Sequence, residues 1–320
     1  MKPFLLKGVC KDYIWGGNRL RDYGKTSDAD RIAESWELSC HPDGESVLPN
    51  GSTLTQYLKE HPEALGVHCA DFDRFPVLVK LIDAADNLSV QVHPDDAYAM
   101  QYEGAPGKTE LWYVIDAQPD AELIYGFREA ITKDEFRRAI ETHTLLDKVK
   151  RVPVKAGDVF YIPAGTLHAI GKGILIAEIQ ENSNTTYRVY DYGRVDEDGK
   201  PRALHIEKAL DVTSLCPTEN TVPSPSTAFP EGCTIQTLGA CRYFEVMKIT
   251  VQKQARLGAD TSFNHILVLD GTAVLRDGAE TLSIRRGDSI FVPAGTEHYS
   301  IENTGESACT LIFTEVYPVQ

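Results

Sequence analysis

From Phe75 to Ile179 the chain switches between unbroken apolar runs and stretches in which every second residue is polar. FPVLVKLIDA, Phe75 to Ala84, is unbroken and predicts a strand buried on both faces. It leads through Asp86-Asn87 into LSVQVHPDD, Leu88 to Asp96, which alternates. In an extended strand Ser89, Gln91 and His93 share one face while Val90 and Val92 share the other, so this strand predicts one wall of a polar pocket. Pro94 ends it, and Asp95-Asp96 open a short helical stretch, DDAYAMQYEG. TELWYVI and AELIYGF predict two strands joined by a turn around Gln118-Pro119-Asp120. Thr132 and Glu135 form a capping box that opens an amphipathic helix through FRRAIETHTLLDKV. VPVKAGDVFYIPAGTLHAI and GILIAEIQ return to strands across Gly171-Lys172-Gly173. Upstream, SWELS predicts a strand and His41-Pro42-Asp43 a turn, and Ser52 or Thr53 caps a helix through LTQYLKEHPEAL that breaks at Pro62. HIEKALDV predicts one more short helix.

The last ninety residues read as short strands separated by Gly turns, an all-β unit. They repeat an earlier pattern. VKAGDVFYIPAGTLHAI at Val154 to Ile170 and IRRGDSIFVPAGTEHYS at Ile284 to Ser300 align in register on GD, an apolar strand, PAGT and a His two residues on. A GD turn, a strand and a Pro-Gly turn before a His form the second half of the cupin signature, that of small antiparallel jelly-roll barrels. The expected architecture is mainly β: two cupin-type jelly-roll β-barrel modules, with a few helices inserted in and around the N-terminal one. The expected division is an N-terminal catalytic module over 1–216, a linker over 217–230 (PTENTVPSPSTAFP), and a C-terminal module over 231–320.

Charge and cysteine usage exclude some functions. The chain has 320 residues and a formal net charge of -15, with no basic block, which argues against nucleic acid and anionic membranes as partners. No stretch approaches the ~20 apolar residues a membrane span needs. Seven scattered cysteines without a CxxC pair fit reduced thiols in a cytoplasmic protein. The start of the chain lacks the apolar core of a signal peptide.

The candidate chemistry sits on strand edges and ends. Gln91 and His93 lie on the alternating strand, Glu110 heads TELWYVI, and His168 follows the PAGT turn. Two imidazoles, one carboxylate and one amide make an N/O ligand set of the kind that holds a catalytic zinc or a similar divalent ion with open positions. The second module has no Q-x-H strand, and it aligns His298 with His168 and Asn264 with Glu110, so it is expected to carry no metal. His41, His61, His68, His143 and His205 read as structural or surface residues.

LSVQVHPDD, GKTELWYVI, IPAGTLHAIGKG and ENSNTTYRVYDYGR, in this order, with IWGG and ESWELS upstream, closely resemble the bacterial branch of the type I mannose-6-phosphate isomerases. The resemblance weakens over the last ninety residues. It implies a cupin core with one Zn2+ per chain, held by Gln91, His93, Glu110 and His168, and a sugar phosphate as partner. It implies interconversion of mannose 6-phosphate and fructose 6-phosphate by C1/C2 proton transfer through an enediol. It further implies catalytic roles for Arg188 and Glu178, and phosphate binding by Ser89, Lys108 and Arg194, where other branches carry Lys at the last position. Two other classes remain open: a cupin that binds a sugar phosphate without turning it over, and a metal-dependent cupin oxygenase. The oligomeric state is not legible.

Overall fold

A computed structural model of the chain describes residues 1–195, 199–220 and 222–317. Thr221 of the expected linker, the last three residues of the expected C-terminal module, and Asp196, a sequence neighbour that could pair Arg194, lie outside the described residues. Among the described residues the strands form four antiparallel sheets that close in pairs into two jelly-roll modules. In the first, a six-stranded sheet that includes Glu34–Leu38, Val77–Ala84, Glu110–Ala117 and Ile174–Glu181 faces a five-stranded sheet that includes Val90–Val92, Glu122–Phe127, His168–Ala169 and Tyr187–Tyr190. Ile82, Trp112, Val114 and Ile176 of one sheet meet Leu123 and Tyr125 of the other in the barrel core, together with Leu88 and Ile170, which flank its strands. In the second module a seven-stranded and a four-stranded sheet close over Ile249, Ile266, Ile290 and Leu311 against Leu275, Ile284 and Ile301.

The unbroken apolar run now has its cause. Val77, Val79 and Leu81 point out of the first barrel, where they pack with Leu111, Tyr113 and Ile179 against Phe244, Val246, Leu267 and Ile312 of the second module. Lys80 and Ile82, of the opposite parity, point into the barrel. A sheet with a barrel on one side and a second module on the other has no solvent face, so alternation disappears. The alternating strand obeys the opposite condition. Val90 and Val92 pack under Phe136, Ile140, Ala209 and Leu210 of two covering helices, which leaves Ser89, Gln91 and His93 to the barrel interior.

Both copies of the repeated motif use the same backbone. Gly157 and Gly287 in the GD turns have φ of 91° and 87°, and Gly165 and Gly295 in the PAGT turns have 86° and 82°, all in the left-handed region that favours glycine. The capping box is formed: Thr132 Oγ1 accepts from Glu135 N at 3.2 Å and Glu135 Oε2 accepts from Thr132 N at 2.8 Å. The helix is shorter than its pattern. It spans Lys133–Glu141 and stops where His143 takes a φ of 57°, and Val149–Pro153 is already a strand. Within the 217–230 segment, Thr227–Phe229 is a strand paired with Cys233–Ala240. At the other end of the chain, Phe4–Leu6 leaves the first module and pairs with the Ser289–Val292 strand of the second, Phe4 opposite Phe291.

Phe291 is fully buried and packs with Phe4 and Phe263 at ring-centroid separations of 5.5 and 5.3 Å. Phe291→Ala is expected to cost about 3–5 kcal/mol through lost burial and the cavity left behind. Denaturant unfolding checks this, and a loss below about 1 kcal/mol would contradict the packing described here.

Candidate active site

Four segments bring the site together at the inner face of the first barrel. The two-residue strand His168–Ala169 lies between Val90–Val92 and Glu122–Phe127, with His168 in register with Gln91. His93 follows the alternating strand, and Glu110 opens Glu110–Ala117. His93, Glu110 and His168 are each at most 1% exposed, and one ligand atom from each lies within 4.8 Å of the others. Gln91 Nε2 is 3.5 Å from His168 Nε2.

The two imidazoles are fixed in one tautomer. His93 Nδ1 is 2.8 Å from Thr185 O, and His168 Nδ1 is 2.8 Å from Thr166 O. A carbonyl can only accept, so each Nδ1 carries the proton and each Nε2 presents a lone pair inward. His93 Nε2 then faces Glu110 Oε1 at 3.1 Å, and His168 Nε2 lies 3.9 Å from Glu110 Oε2. Acceptor facing acceptor is repulsive unless a cation lies between them. The Lys108 ammonium supplies positive charge here, in contact with Glu110 Oε1 and 3.5 Å from His93 Nε2. Burial, followed by the Lys108 charge, depresses His93 to about 3, and burial also lowers His168, so both rings stay neutral at working pH. Burial opposes ionisation of Glu110, but the Lys108 charge outweighs it and holds this carboxyl well below the usual range. Neutral imidazoles and an ionised carboxylate are what a divalent cation requires, so the residues present fit a metal site.

A second carboxylate layer lies behind the first. Trp112 Nε1–H is shared between Glu110 Oε2 at 2.9 Å and Glu178 Oε1 at 3.1 Å. Lys80 Nζ bridges Glu178 Oε2 at 3.3 Å and Glu34 Oε2 at 3.7 Å. Burial and the neighbouring Glu110 charge raise Glu178, against the opposing pull of Lys108 and Lys80. A cavity of about 280 Å3 opens over this layer, and Ser89, Gln91, Lys108, Glu178, Arg188 and Arg202 line it. Arg188 Nε donates to Ser89 Oγ at 3.2 Å, and Ser89 Oγ donates to Gln91 Oε1 at 3.3 Å.

Of the residues expected at the phosphate, Ser89 and Lys108 line the cavity, with Lys108 at its inner, carboxylate end. Arg194 is not among the lining residues. Its guanidinium is held by Asp191 Oδ1 at 2.5 Å, Asn87 O at 2.5 Å and Asp86 at 3.7 Å. Arg202 shares Asp191, at 2.7 and 2.6 Å, and does reach the cavity. Sequence reasoning missed Arg202 and Lys80. A lysine inside an otherwise apolar run was the available signal for Lys80, because a charge there must be paired; DGKPRALH offers none for Arg202. In the second module His298 is exposed, and Tyr299 takes the inward place, its OH donating to Asn264 Oδ1 at 2.9 Å. His41 and Asp43 line an adjoining cavity, and Asn184, which lines both cavities, donates to Asp43 at 2.9 Å.

A jelly-roll barrel with inward-facing histidines and a carboxylate at this position defines a cupin metal-site protein. Two family models match the chain: the phosphomannose isomerase type I catalytic domain over residues 4–124, and the mannose-6-phosphate isomerase cupin domain over 234–312. The chain belongs to the type I mannose-6-phosphate isomerase family, and its activity is that of an aldose–ketose isomerase. It is 41% identical over 312 residues to a mannose-6-phosphate isomerase of Bacillus subtilis, covering 95% of this chain and 97% of that one. It is 41% identical over 297 residues to the enzyme of Streptococcus mutans, covering 91% and 92%. A crystal structure of the mannose 6-phosphate isomerase from Bacillus subtilis superposes with a TM-score of 0.90 at 38% identity over 98% of this chain and 99% of that one. A more distant mannose 6-phosphate isomerase, at 17% identity and a TM-score of 0.77 over 100% of both chains, shares the fold and is described as bound with zinc and yttrium.

The shared indole donor predicts a measurable role. Trp112→Phe removes the hydrogen from two adjacent buried carboxylates and is expected to weaken divalent-metal affinity about 10–100-fold with the fold intact. A competitive chelator titration reads this, and unchanged affinity would refute it. A second carboxyl sets a pH dependence. Glu181, at the end of the Ile174–Glu181 strand, is pushed up to about 8 by burial and then by Asp96. Unfolded, the same group titrates near about 4. The native state therefore holds a proton that the unfolded chain releases, and stability falls as pH rises from about 4 to about 8. Glu181→Gln should flatten the melting temperature across that window; an unaltered slope would assign the dependence elsewhere.

Proposed function

We propose that this chain interconverts D-mannose 6-phosphate and D-fructose 6-phosphate with one zinc ion per chain, held by Gln91, His93, Glu110 and His168, through an enediol. The observation that carries this reading is the pair of tautomer-locked imidazoles whose Nε2 atoms converge on the buried Glu110, which contacts Lys108 and shares the Trp112 indole with Glu178, two residues that line the cavity together with Arg188. Zinc in a neighbour of the same fold supports the choice of ion. When bound, a divalent ion supplies Lewis acidity to the sugar oxygens and holds them in place.

The remaining work falls to side chains. Glu178, a carboxyl raised toward the working range, takes and returns the proton moved between C1 and C2. Arg188, preset by Ser89 Oγ and by Ala203 O at 3.0 Å, aims its guanidinium at the negative charge that develops on the enediolate. Ser89 and Arg202 receive the phosphate, while Arg194 acts through Asp191, the carboxylate it shares with Arg202. Binding energy from the phosphate then positions the reacting carbons. Among the described residues no helix is long and apolar enough to cross a membrane, and the seven cysteines are free, which supports a cytoplasmic enzyme.

An assay for fructose 6-phosphate formed from mannose 6-phosphate should lose activity on chelation and regain it with added zinc. His93→Ala or His168→Ala should remove most of the roughly one equivalent of metal. Full activity after exhaustive chelation would defeat the zinc assignment. Arg188→Ala should lower kcat and kcat/KM together by about two to three orders of magnitude. Arg202→Ala should mainly raise KM, and Arg194→Ala should raise it less. A change confined to KM at Arg188 would overturn the catalytic role given to it here.

A further inference from the structure

A cleft of about 780 Å3 lies on the seam between the two modules, away from the isomerase cavity. Its walls come from the start of the chain at Leu5 to Gly8, from the loop Arg21 to Thr26, and from the second copy of the GD turn, Arg285 to Asp288. Five cations line it, Lys7, Arg21, Lys25, Arg285 and Arg286, against two carboxylates, Asp22 and Asp288. That balance runs against a chain whose net charge is -15.

The cations differ in how they are held. Lys25 is neutralised by Glu37, at 2.7 Å, and ties the modules together through Gly287 O, at 2.6 Å. Arg21 is held only by neutral groups, Ala29 O at 2.8 Å and Asn18 Oδ1 at 3.2 Å among them. Arg286 lies over the Tyr23 ring at 4.3 Å, which fixes the plane of its guanidinium. Asp288 is engaged by the backbone, accepting from Arg285 N at 2.9 Å. Among the described residues, Lys7, Arg21, Arg285 and Arg286 form no ion pair with a carboxylate. Like charges gathered without carboxylate partners in a concave wall repel one another and focus a positive potential into the space they enclose. The first copy of the turn reads Lys155-Ala156-Gly157-Asp158, so the paired arginines belong to the copy that faces the seam.

We propose that this cleft is a binding site for a phosphate-bearing small molecule, held by Arg285, Arg286 and Lys7 and gripped by both modules. The volume suits such a ligand, and a guanidinium fork matches phosphate oxygens two at a time. The site stands independently of the roles assigned in the isomerase cavity.

The test separates the two phosphate sites by mutation. Arg202→Ser combined with Ser89→Ala removes the phosphate contacts assigned in the isomerase cavity. In that background, equilibrium dialysis with inorganic phosphate should still find one ion bound per chain. Adding Arg285→Ser and Arg286→Ser should weaken that binding about tenfold or more, and Lys7→Ser alone should weaken it to a smaller degree. Both arginines are exposed, so cooperative melting by circular dichroism should persist and show that the variants fold. No phosphate bound in the first background, or binding unchanged by the arginine pair, overturns the proposal. The arginine pair placed in the otherwise natural chain should leave isomerase kcat and KM unchanged; a loss of activity there would tie the cleft to catalysis and likewise overturn an independent site.

Discussion

Three buried carboxylates, Glu34, Glu110 and Glu178, stand within one barrel, and two buried ammonium groups, Lys80 and Lys108, thread between them. Buried charge persists only when paired and hydrogen-bonded, since desolvating each group costs several kcal/mol. Two tryptophans complete the array with indole N–H donors, Trp36 to Glu34 at 2.7 Å and Trp112 to both other carboxylates. With all three acids ionised, the lysines leave one negative charge uncompensated, and burial pushes that deficit onto Glu178. A divalent cation at the two imidazoles would reverse the local sign. The same array thus favours a cation at the place where the histidine lone pairs converge.

The second module matters to this array by covering it. The strands that carry Lys80, Glu110 and Glu178 have their other face packed against Phe244, Val246 and Leu267. Without that cover, Val77, Val79, Leu111 and Ile179 would meet water, and the sheet would lose the burial that makes its charged inner face tolerable. The module also keeps the cupin outline while changing its interior. Tyr299, Asn264 and Glu315 form a hydrogen-bonded chain, with Asn264 Nδ2 3.1 Å from Glu315 Oε2.

The sequence showed most where side-chain period and turn chemistry agree. Ser89, Gln91 and His93 two apart, flanked by Val90 and Val92, place the inward wall without further information. The repeated GD and PAGT turns reveal two copies because only a left-handed glycine closes them. A turn does not fix which residue after it faces inward, and so His168 is buried while His298, at the aligned position, is exposed. Long-range pairing was not legible either. Arg194 and Arg202 compete for Asp191, and nothing in the local pattern tells which of them reaches the cavity. The end of the helix at Glu141 depended on a single residue, His143, adopting a left-handed backbone that few side chains favour.

The pairing of Phe4 with Phe291 bears on how the protein is made. A ribosome releases Phe4–Leu6 long before its partner strand, which lies nearly three hundred residues further along the chain. Through that interval the nascent chain carries an unpaired apolar strand, and the sheet it belongs to cannot be completed. The first barrel can collapse early, yet the finished architecture is locked by a contact that spans almost the whole sequence, the kind that slows folding and leaves edges exposed to wrong partners. The two strands are therefore one structural element in space but are widely separated in time. A bulky extension at the start of the chain would burden the last step of assembly, not the first.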